Sequence, residues 1–156
     1  MPIQIGQKAP SFKMIDTDRQ ETTLEQYAGK NLVMLFFPFA FTGTCTKELC
    51  MMRDSIAEYN NLHADVLAVS VDSIHSLKKY KEEQQLNFRL ASDFNKTVST
   101  DFDTIYEIYG LGFHGVSKRS AFVIDKDGII RYAEVLENAG EIPDFEKVKR
   151  LLAELE

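Results

Sequence analysis

The sequence predicts an α/β fold in which a central mixed β-sheet is flanked by helices. Two observations carry this prediction. Buried-strand patterns alternate with helical patterns along most of the chain, and a β-hairpin followed by a helix ends it. Strands that alternate with helices pair in parallel, whereas the strands of a hairpin pair antiparallel, so the expected sheet contains both arrangements.

The strand and helix patterns are clearest in the first half of the chain. The apolar run at residues 31–37 stops at Pro38 and predicts a buried central strand. A helix is expected from residue 45 to about residue 62, because its apolar positions step by three or four. These positions are Leu49, Met52, Ile56, Tyr59 and Leu62. A second buried strand at residues 65–71 precedes a second helix that begins near Ile74.

The second half predicts a short strand at residues 90–93 and a helix at about 96–102. Apolar runs at 121–124 and 129–135 flank a turn at 125–128 and predict a hairpin. An apolar stripe over residues 145–155 predicts a closing helix. This order, with parallel units first and a hairpin with a helix last, is typical of a thioredoxin-like α/β sandwich.

Length and charge exclude several classes of protein. The 156 residues, 44% of them hydrophobic, suffice for one core, so we expect a single domain over residues 1–156. A net charge of −6 repels nucleic acid and anionic lipid surfaces, and neither is an expected partner. Residues 1–8 lack the pattern of a secretory signal, and no stretch approaches the ~18 apolar residues of a membrane span. We therefore expect a soluble, cytoplasmic protein.

The chemistry of the chain is expected at its two cysteines, Cys45 and Cys50. Cytosolic thiols are kept reduced, so this spacing favours a redox pair over a disulfide framework. Cys45 lies where the first predicted strand leads into its helix. The first turn of a helix offers unpaired N–H groups and the positive end of the helix dipole, and both favour the thiolate. The position therefore indicates a nucleophilic sulfur.

Each residue around this sulfur also has a structural interpretation. Cys45 falls on the same helical face as Leu49 and Met52, which fits a small buried hydrophobic residue. Pro38 by itself is a strand stop, and Thr42 by itself is a helix cap. Their combination at one strand-to-helix junction favours a functional site.

The pattern Pro38-x-x-x-Thr42-x-x-Cys45 resembles the active-site signature of peroxiredoxins. Arg119, followed by residues 120–125, is similar to the strand that carries their catalytic arginine. The resemblance extends from residue 5 to the terminal helix. It implies a thioredoxin-like fold and a thiol-dependent peroxidase that reduces hydrogen peroxide and organic hydroperoxides.

The same resemblance implies a role for each residue. Cys45 is the peroxidatic cysteine, Thr42 hydrogen-bonds the peroxide, and Pro38 shields the sulfur. Arg119 stabilises the thiolate and the transition state, and Glu48 matches a position that helps to orient the arginine. A guanidinium, a threonine hydroxyl and helix N-terminal amides are donors suited to the negative charge that builds on the leaving oxygen. Taken alone, Arg119 fits an exposed residue of a solvated loop equally well.

Two roles remain open for Cys50. The C-x4-C spacing resembles the peroxiredoxin Q group, also called bacterioferritin comigratory protein. This resemblance implies that Cys50 resolves the oxidised Cys45 by forming an intramolecular disulfide. A thioredoxin-like or other thiol reductant then reduces that disulfide. Residues 39–44 are instead similar to the alkyl hydroperoxide reductase E group, in which one-cysteine members occur, and Cys50 is then structural. In an intact helix the two Cα atoms lie roughly 8–9 Å apart. A disulfide requires a Cα separation within ~7 Å, so a resolving role requires the first helical turns to unwind.

Other features argue against related chemistries. The three histidines, His63, His75 and His114, are scattered and predicted on the surface, and we expect no metal and no other cofactor. The chain has no tryptophan, unlike glutathione peroxidases, and its cysteine spacing is longer than the C-x-x-C of thioredoxin-type reductases. Three aromatic residues fit an apolar wall around the thiol, the core or an interface equally well. They are Phe39, Phe41 and Phe113.

A different class of function, a non-catalytic redox sensor or binding module, is the alternative to an enzyme. Turnover of peroxide with a thioredoxin-type reductant separates the two. The sequence is compatible with a monomer or a homodimer.

Overall fold

The computed structural model describes residues 3–155, and Met1, Pro2 and Glu156, the ends of the predicted domain, lie outside the described residues. The strands are β1 (Lys13–Asp16), β2 (Glu21–Thr23), β3 (Asn31–Phe36), β4 (Ala64–Ser70), β5 (Arg89–Ser92), β6 (Ile105–Tyr106), β7 (Val116–Ser117), β8 (Arg119–Ile124) and β9 (Ile130–Leu136). The α-helices are α1 (Gly43–Asp54), α2 (Ile56–Asn61), α3 (Ile74–Gln84), α4 (Thr97–Asp101) and α5 (Phe145–Glu154), and a 3-10 helix covers Leu24–Tyr27.

The main sheet is mixed, as the sequence predicts. Its strand order is β2-β1-β5-β4-β3-β8-β9. The predicted parallel units are present, since β4 pairs in parallel with both β3 and β5. The predicted hairpin is β8–β9, and β8 also pairs antiparallel with β3. β3 and β8 are adjacent interior strands, and both are buried along their whole length.

Both faces of this sheet are covered, because alternate residues of each strand point to opposite sides. On β3, Val33 and Leu35 pack with α1, α3 and α5 in one core cluster. Leu32 and Met34, between them, pack with α4 and the 3-10 helix in the other. The result is a sheet between two helical layers, and Cys45 belongs to the first cluster.

The single helix predicted over residues 45–62 is wrong, because the structure has two helices there. α1 begins at Gly43 and ends at Asp54, and Ser55 separates it from α2 with φ −105° and ψ 5°. Asp and Ser are weak helix formers because their short side chains compete for backbone groups. The side chain of Arg53, near the end of α1, also donates from Nη1 to the carbonyl of Gln84 on α3 at 2.7 Å.

The residue patterns did not predict the strands β1, β2, β6 and β7. β1 and β2 lie at one edge of the sheet, and β1 alternates exposed and buried residues over only four positions. β6 and β7 are two-residue strands that form a separate pair. Patterns this short are too weak to distinguish from loops. Within residues 3–155, no helix is both long enough and apolar enough to cross a membrane.

Candidate active site

The candidate site lies at the junction of β3 and α1, beyond the carboxyl end of a central strand. Phe37 continues β3 by one hydrogen bond, from its N–H to the carbonyl of Val69 at 2.9 Å, and the buried Pro38 then ends the strand. α1 begins at Gly43, which makes Cys45 its third residue. The N–H groups of this first turn have no partner within the helix, and the helix dipole adds positive charge there.

Arg119 connects this helix to β8. Its Nη2 donates to the Sγ of Cys45 at 3.2 Å, and its Nη1 donates to Oε1 of Glu48 at 2.8 Å. Arg119 and Cys45 are each 1% exposed, and Glu48 is fully buried. The interpretation of Arg119 as an exposed loop residue is therefore wrong. Arg119 is the first residue of a buried strand, and its guanidinium contacts the sulfur directly.

The ion pair between Arg119 and Glu48 is unequal. Burial raises the pKa of Glu48 to about 7, because desolvation outweighs the charge and the hydrogen bond of Arg119. Burial by itself lowers the pKa of Arg119, but the charge of Glu48, the charge of Cys45 and the hydrogen bonds to both raise it overall. Arg119 is therefore charged throughout the physiological range. Oε2 of Glu48 accepts no hydrogen bond from the described residues.

A backbone carbonyl, which the residue patterns did not predict, also fixes Arg119. The carbonyl of Ala139, beyond the end of β9, accepts from Nη2 of Arg119 at 2.9 Å and from its Nε at 3.2 Å. The carbonyl of Ala139 and the carboxylate of Glu48 therefore accept the hydrogen bonds of the guanidinium that are not directed to Cys45. No side-chain signal marks a carbonyl in a sequence, so residue patterns could not have revealed this contact.

Thr42 occupies the N-cap position of α1, but its side chain does not cap the helix. Its hydroxyl donates instead to the carbonyl of Phe39 at 2.8 Å, inside the loop. The proton of Thr42 is thus used, and its oxygen lone pairs are left to accept a hydrogen bond. The Thr42 hydroxyl was expected to donate to the peroxide. It donates to a carbonyl instead, and a carbonyl oxygen can only accept a hydrogen bond. Thr42 is exposed, whereas Pro38 is buried.

Residues 5–133, most of the chain, match the model of the AhpC/TSA family. The chain belongs to the AhpC/TSA family. It is 36% identical over 145 residues to alkyl hydroperoxide reductase E of Mycobacterium tuberculosis, an alignment that covers 91% of each protein. It is 33% identical over 133 residues to peroxiredoxin Bcp of Escherichia coli, covering 84% of this chain and 85% of that protein. The crystal structure of peroxidoxin BcpB from Mycobacterium tuberculosis matches with a TM-score of 0.86 at 26% identity, over 99% of both chains.

These relatives confirm the resemblance to peroxiredoxins and the thioredoxin-like fold. The protein is a thiol-dependent hydroperoxide reductase. A non-catalytic redox sensor, the alternative considered from the sequence, is not favoured. The relatives include both groups that the sequence resembles, alkyl hydroperoxide reductase E and the bacterioferritin comigratory proteins.

In this peroxiredoxin the hydrogen bonds of Arg119 go to Cys45, Glu48 and Ala139, and the thiol of Cys50 bonds elsewhere. It lies in the last half of α1 with its thiol directed to α3, where Sγ donates to Oε1 of Gln84 at 3.6 Å. Both cysteines are free thiols, and both belong to an intact helix. Cys50 is half-buried, unlike Cys45. The helical geometry that separates the two sulfurs is therefore present.

Three aromatic side chains lie around the loop that precedes α1. The ring of Phe39 contacts that of Phe113, with centroids 6.0 Å apart, and that of Tyr109 at 5.7 Å. Phe41 packs on Tyr80 at 5.0 Å, yet Phe41 and Phe113 are each 51% exposed, which excludes the core interpretation for these two.

The three histidines are exposed, as expected. Within residues 3–155, no group of three or more His, Cys, Asp or Glu side chains is placed to hold a metal ion.

Proposed function

We propose that Cys45 is the peroxidatic cysteine of this enzyme. Its thiolate attacks the terminal oxygen of a hydroperoxide, an S–O bond forms, and the O–O bond breaks. The sulfur loses two electrons and becomes a sulfenic acid, while the leaving oxygen takes a proton and departs as water or an alcohol. The observation that carries this proposal is the guanidinium of Arg119, 3.2 Å from Sγ of Cys45 and fixed on its other sides.

The surrounding groups divide the work of stabilising this reaction. Arg119 and the N–H groups of the first turn of α1 face the negative charge that moves from the sulfur to the leaving oxygen. The hydroxyl of Thr42 donates its hydrogen bond to the carbonyl of Phe39. Its oxygen can therefore accept a hydrogen bond from the peroxide hydroxyl, which orients the attacked oxygen. Pro38 covers the sulfur from water. Glu48 orients Arg119 and does not touch the substrate.

We infer that Cys50 resolves the sulfenic acid. Its thiol attacks Cys45, a disulfide forms and water leaves, and a dithiol reductant of the thioredoxin type then restores both thiols. This step requires α1 to unwind from its first turn and the contact between Cys50 and Gln84 to break. The competing proposal is a one-cysteine cycle with an external thiol, and it is compatible with the intact helix and with the relative named alkyl hydroperoxide reductase E.

The proposed substrates are hydrogen peroxide and organic hydroperoxides. The exposed rings of Phe41 and Phe113 supply apolar surface near the loop that carries Thr42, which suits an alkyl group on the peroxide. The name of the relative, alkyl hydroperoxide reductase, supports the same class. Whether the enzyme acts as a monomer or a homodimer stays a prediction.

A single-turnover experiment tests both steps. Reduced wild type, Cys45→Ser and Cys50→Ser are each mixed with one equivalent of hydrogen peroxide, and the products are identified by mass spectrometry of peptides. We expect an intramolecular Cys45–Cys50 disulfide in the wild type, a lasting Cys45 sulfenic acid in Cys50→Ser, and no rapid oxidation in Cys45→Ser.

The outcomes separate the proposals. Rapid peroxide consumption by Cys45→Ser would refute the central assignment. A lasting sulfenic acid in the wild type, with amide exchange over residues 43–52 unchanged by oxidation, would make Cys50 structural and establish the one-cysteine cycle.

A further inference from the structure

The loop from Phe37 to Thr42 is held in a strained shape. Phe41 adopts a φ of 65°, in the left-handed region that residues other than glycine rarely occupy. Such a conformation persists only where surrounding contacts hold it. Phe41 directly precedes Thr42, so its backbone sets the direction of the Thr42 hydroxyl. The contacts that hold this loop therefore control the geometry of peroxide binding.

Several contacts from outside hold the loop. The N–H of Phe37 donates to the carbonyl of Val69, and the ring of Phe39 packs against those of Tyr109 and Phe113. The hydrogen bond from Thr42 to Phe39 is internal to it. Phe41 packs on Tyr80, but it is half exposed, so this contact covers one side of its ring only. Within residues 3–155, one carboxylate from outside the loop bonds to its backbone. Oδ2 of Asp72 accepts from the N–H of Ala40 at 2.8 Å, and such charge-assisted bonds are stronger than neutral ones.

Asp72 is itself fixed to the ends of two strands. The hydroxyl of Ser70, the buried last residue of β4, donates to the same Oδ2 at 2.6 Å. The hydroxyl of Ser92, the last residue of β5, donates to the backbone carbonyl of Asp72 at 2.5 Å. Asp72 therefore connects the ends of β4 and β5 to Ala40, in the middle of the loop, through hydrogen bonds.

We propose that Asp72 is a positioning residue for the peroxide reaction, whose carboxylate holds Ala40, and with it Pro38 and Thr42, in place around the hydroperoxide. The inference rests on the proposed function of Cys45. The hydrogen bonds of Asp72 go to Ala40, Ser70 and Ser92, and none goes to Cys45 or Arg119. Removing its carboxylate displaces the loop and leaves the sulfur and the guanidinium in place.

Two reactions of Cys45 consequently separate. Oxidation by hydrogen peroxide requires the loop, whereas alkylation by iodoacetamide requires only an ionised sulfur that the reagent can reach. Both second-order rate constants are measured at pH 7 for the wild type and Asp72→Ala, by mass spectrometry of the Cys45 peptide. We expect oxidation to slow by roughly tenfold or more, because small displacements of positioning groups have effects of this size. Alkylation is not slowed.

Two further variants make the result specific. Asp72→Asn keeps a neutral oxygen that can accept from Ala40, and it recovers most of the lost oxidation rate. Asp65→Ala removes a carboxylate near the other end of β4, which pairs with Lys30 at the surface, and it changes neither rate. Thermal unfolding of each variant confirms that the fold is retained.

Equal oxidation rates in the wild type and Asp72→Ala would overturn the inference. Equal slowing of oxidation and alkylation would also overturn it, since the whole environment of Cys45 is then disturbed. If Asp72→Ala does not fold, Ser70→Ala decides by the same ratio, because it removes the hydroxyl that orients the carboxylate. A lower ratio of oxidation to alkylation supports the role of Asp72, and an unchanged ratio refutes it. A wild type that peroxide does not oxidise at Cys45 refutes the proposed function instead, and this inference with it.

Discussion

Replacing Arg119 by methionine separates catalysis from stability at this site. Methionine is apolar and fills much of the same volume, but it has no donor. The change removes the hydrogen bond to Cys45, the ion pair with Glu48 and both bonds to the carbonyl of Ala139. Losing one preorganised transition-state donor typically costs about 100-fold to 1,000-fold in rate, or about 3–4 kcal/mol of activation free energy. We expect oxidation of Cys45 by peroxide to slow by at least about 100-fold.

The same change also lowers stability, for a different reason. Removing one partner of a buried ion pair typically costs about 3–5 kcal/mol, because the other charge is left uncompensated. Since burial has already raised the pKa of Glu48 to about 7, protonation of its carboxyl relieves part of this cost. We expect Arg119→Met to lose about 3 kcal/mol of unfolding free energy, at the lower end of that range.

A double variant distinguishes the two effects. In Arg119→Met with Glu48→Gln the buried carboxyl is gone, so at least about 1 kcal/mol of stability returns while the peroxide rate stays low. Stopped-flow oxidation and urea unfolding measure the two quantities. Arg131→Met is the matched control, because Arg131 is a half-exposed residue of β9 paired with Asp125. A double variant that regains the peroxide rate together with its stability would refute the catalytic role of Arg119.

Two more predictions follow from the site. The raised pKa of Glu48, about 7 against an ordinary 4.5, means that the stability this group contributes is fully present below pH 4.5 and lost as the pH rises through 7. Urea unfolding should therefore show Glu48→Gln gaining stability relative to the wild type across that interval, and a constant difference would contradict the pKa. Thr42→Val should slow oxidation of Cys45 about tenfold or more, because the peroxide loses its acceptor. It should lower the unfolding free energy by only about 1 kcal/mol, because the one described hydrogen bond of the Thr42 hydroxyl, to the carbonyl of Phe39, is lost. An unchanged oxidation rate would contradict the role of Thr42 in peroxide binding.

The sequence predicted the centre of the molecule better than its edges. The apolar runs that became β3 and β4 are buried on both faces, and long buried strands give an unambiguous pattern. The motif also identified Cys45, Glu48 and Arg119, which the fold brings into contact from α1 and β8. The roles assigned to these residues, the single domain and the cytoplasmic location stay predictions.

What the sequence did not reveal depends on backbone or on distant contacts. The break at Ser55 arises at the end of α1, where Arg53 bonds to α3, and a local periodicity does not register such a contact. Asp72 lies two residues after the buried strand β4, at the sheet edge where sites form, so its position was a usable signal. Its partner, the N–H of Ala40, carries no side-chain information at all.

The carbonyl of Ala139 gives the arginine an anchor that depends on the path of the chain and not on residue type. Ala139 lies beyond residues 5–133, the part of the chain that matches the family model. Any residue that follows the same backbone path presents the same oxygen. The segment after β9 is therefore free to change its side chains as long as its length and course are kept. An insertion or deletion there would move the guanidinium away from the sulfur without altering a single side chain of the motif.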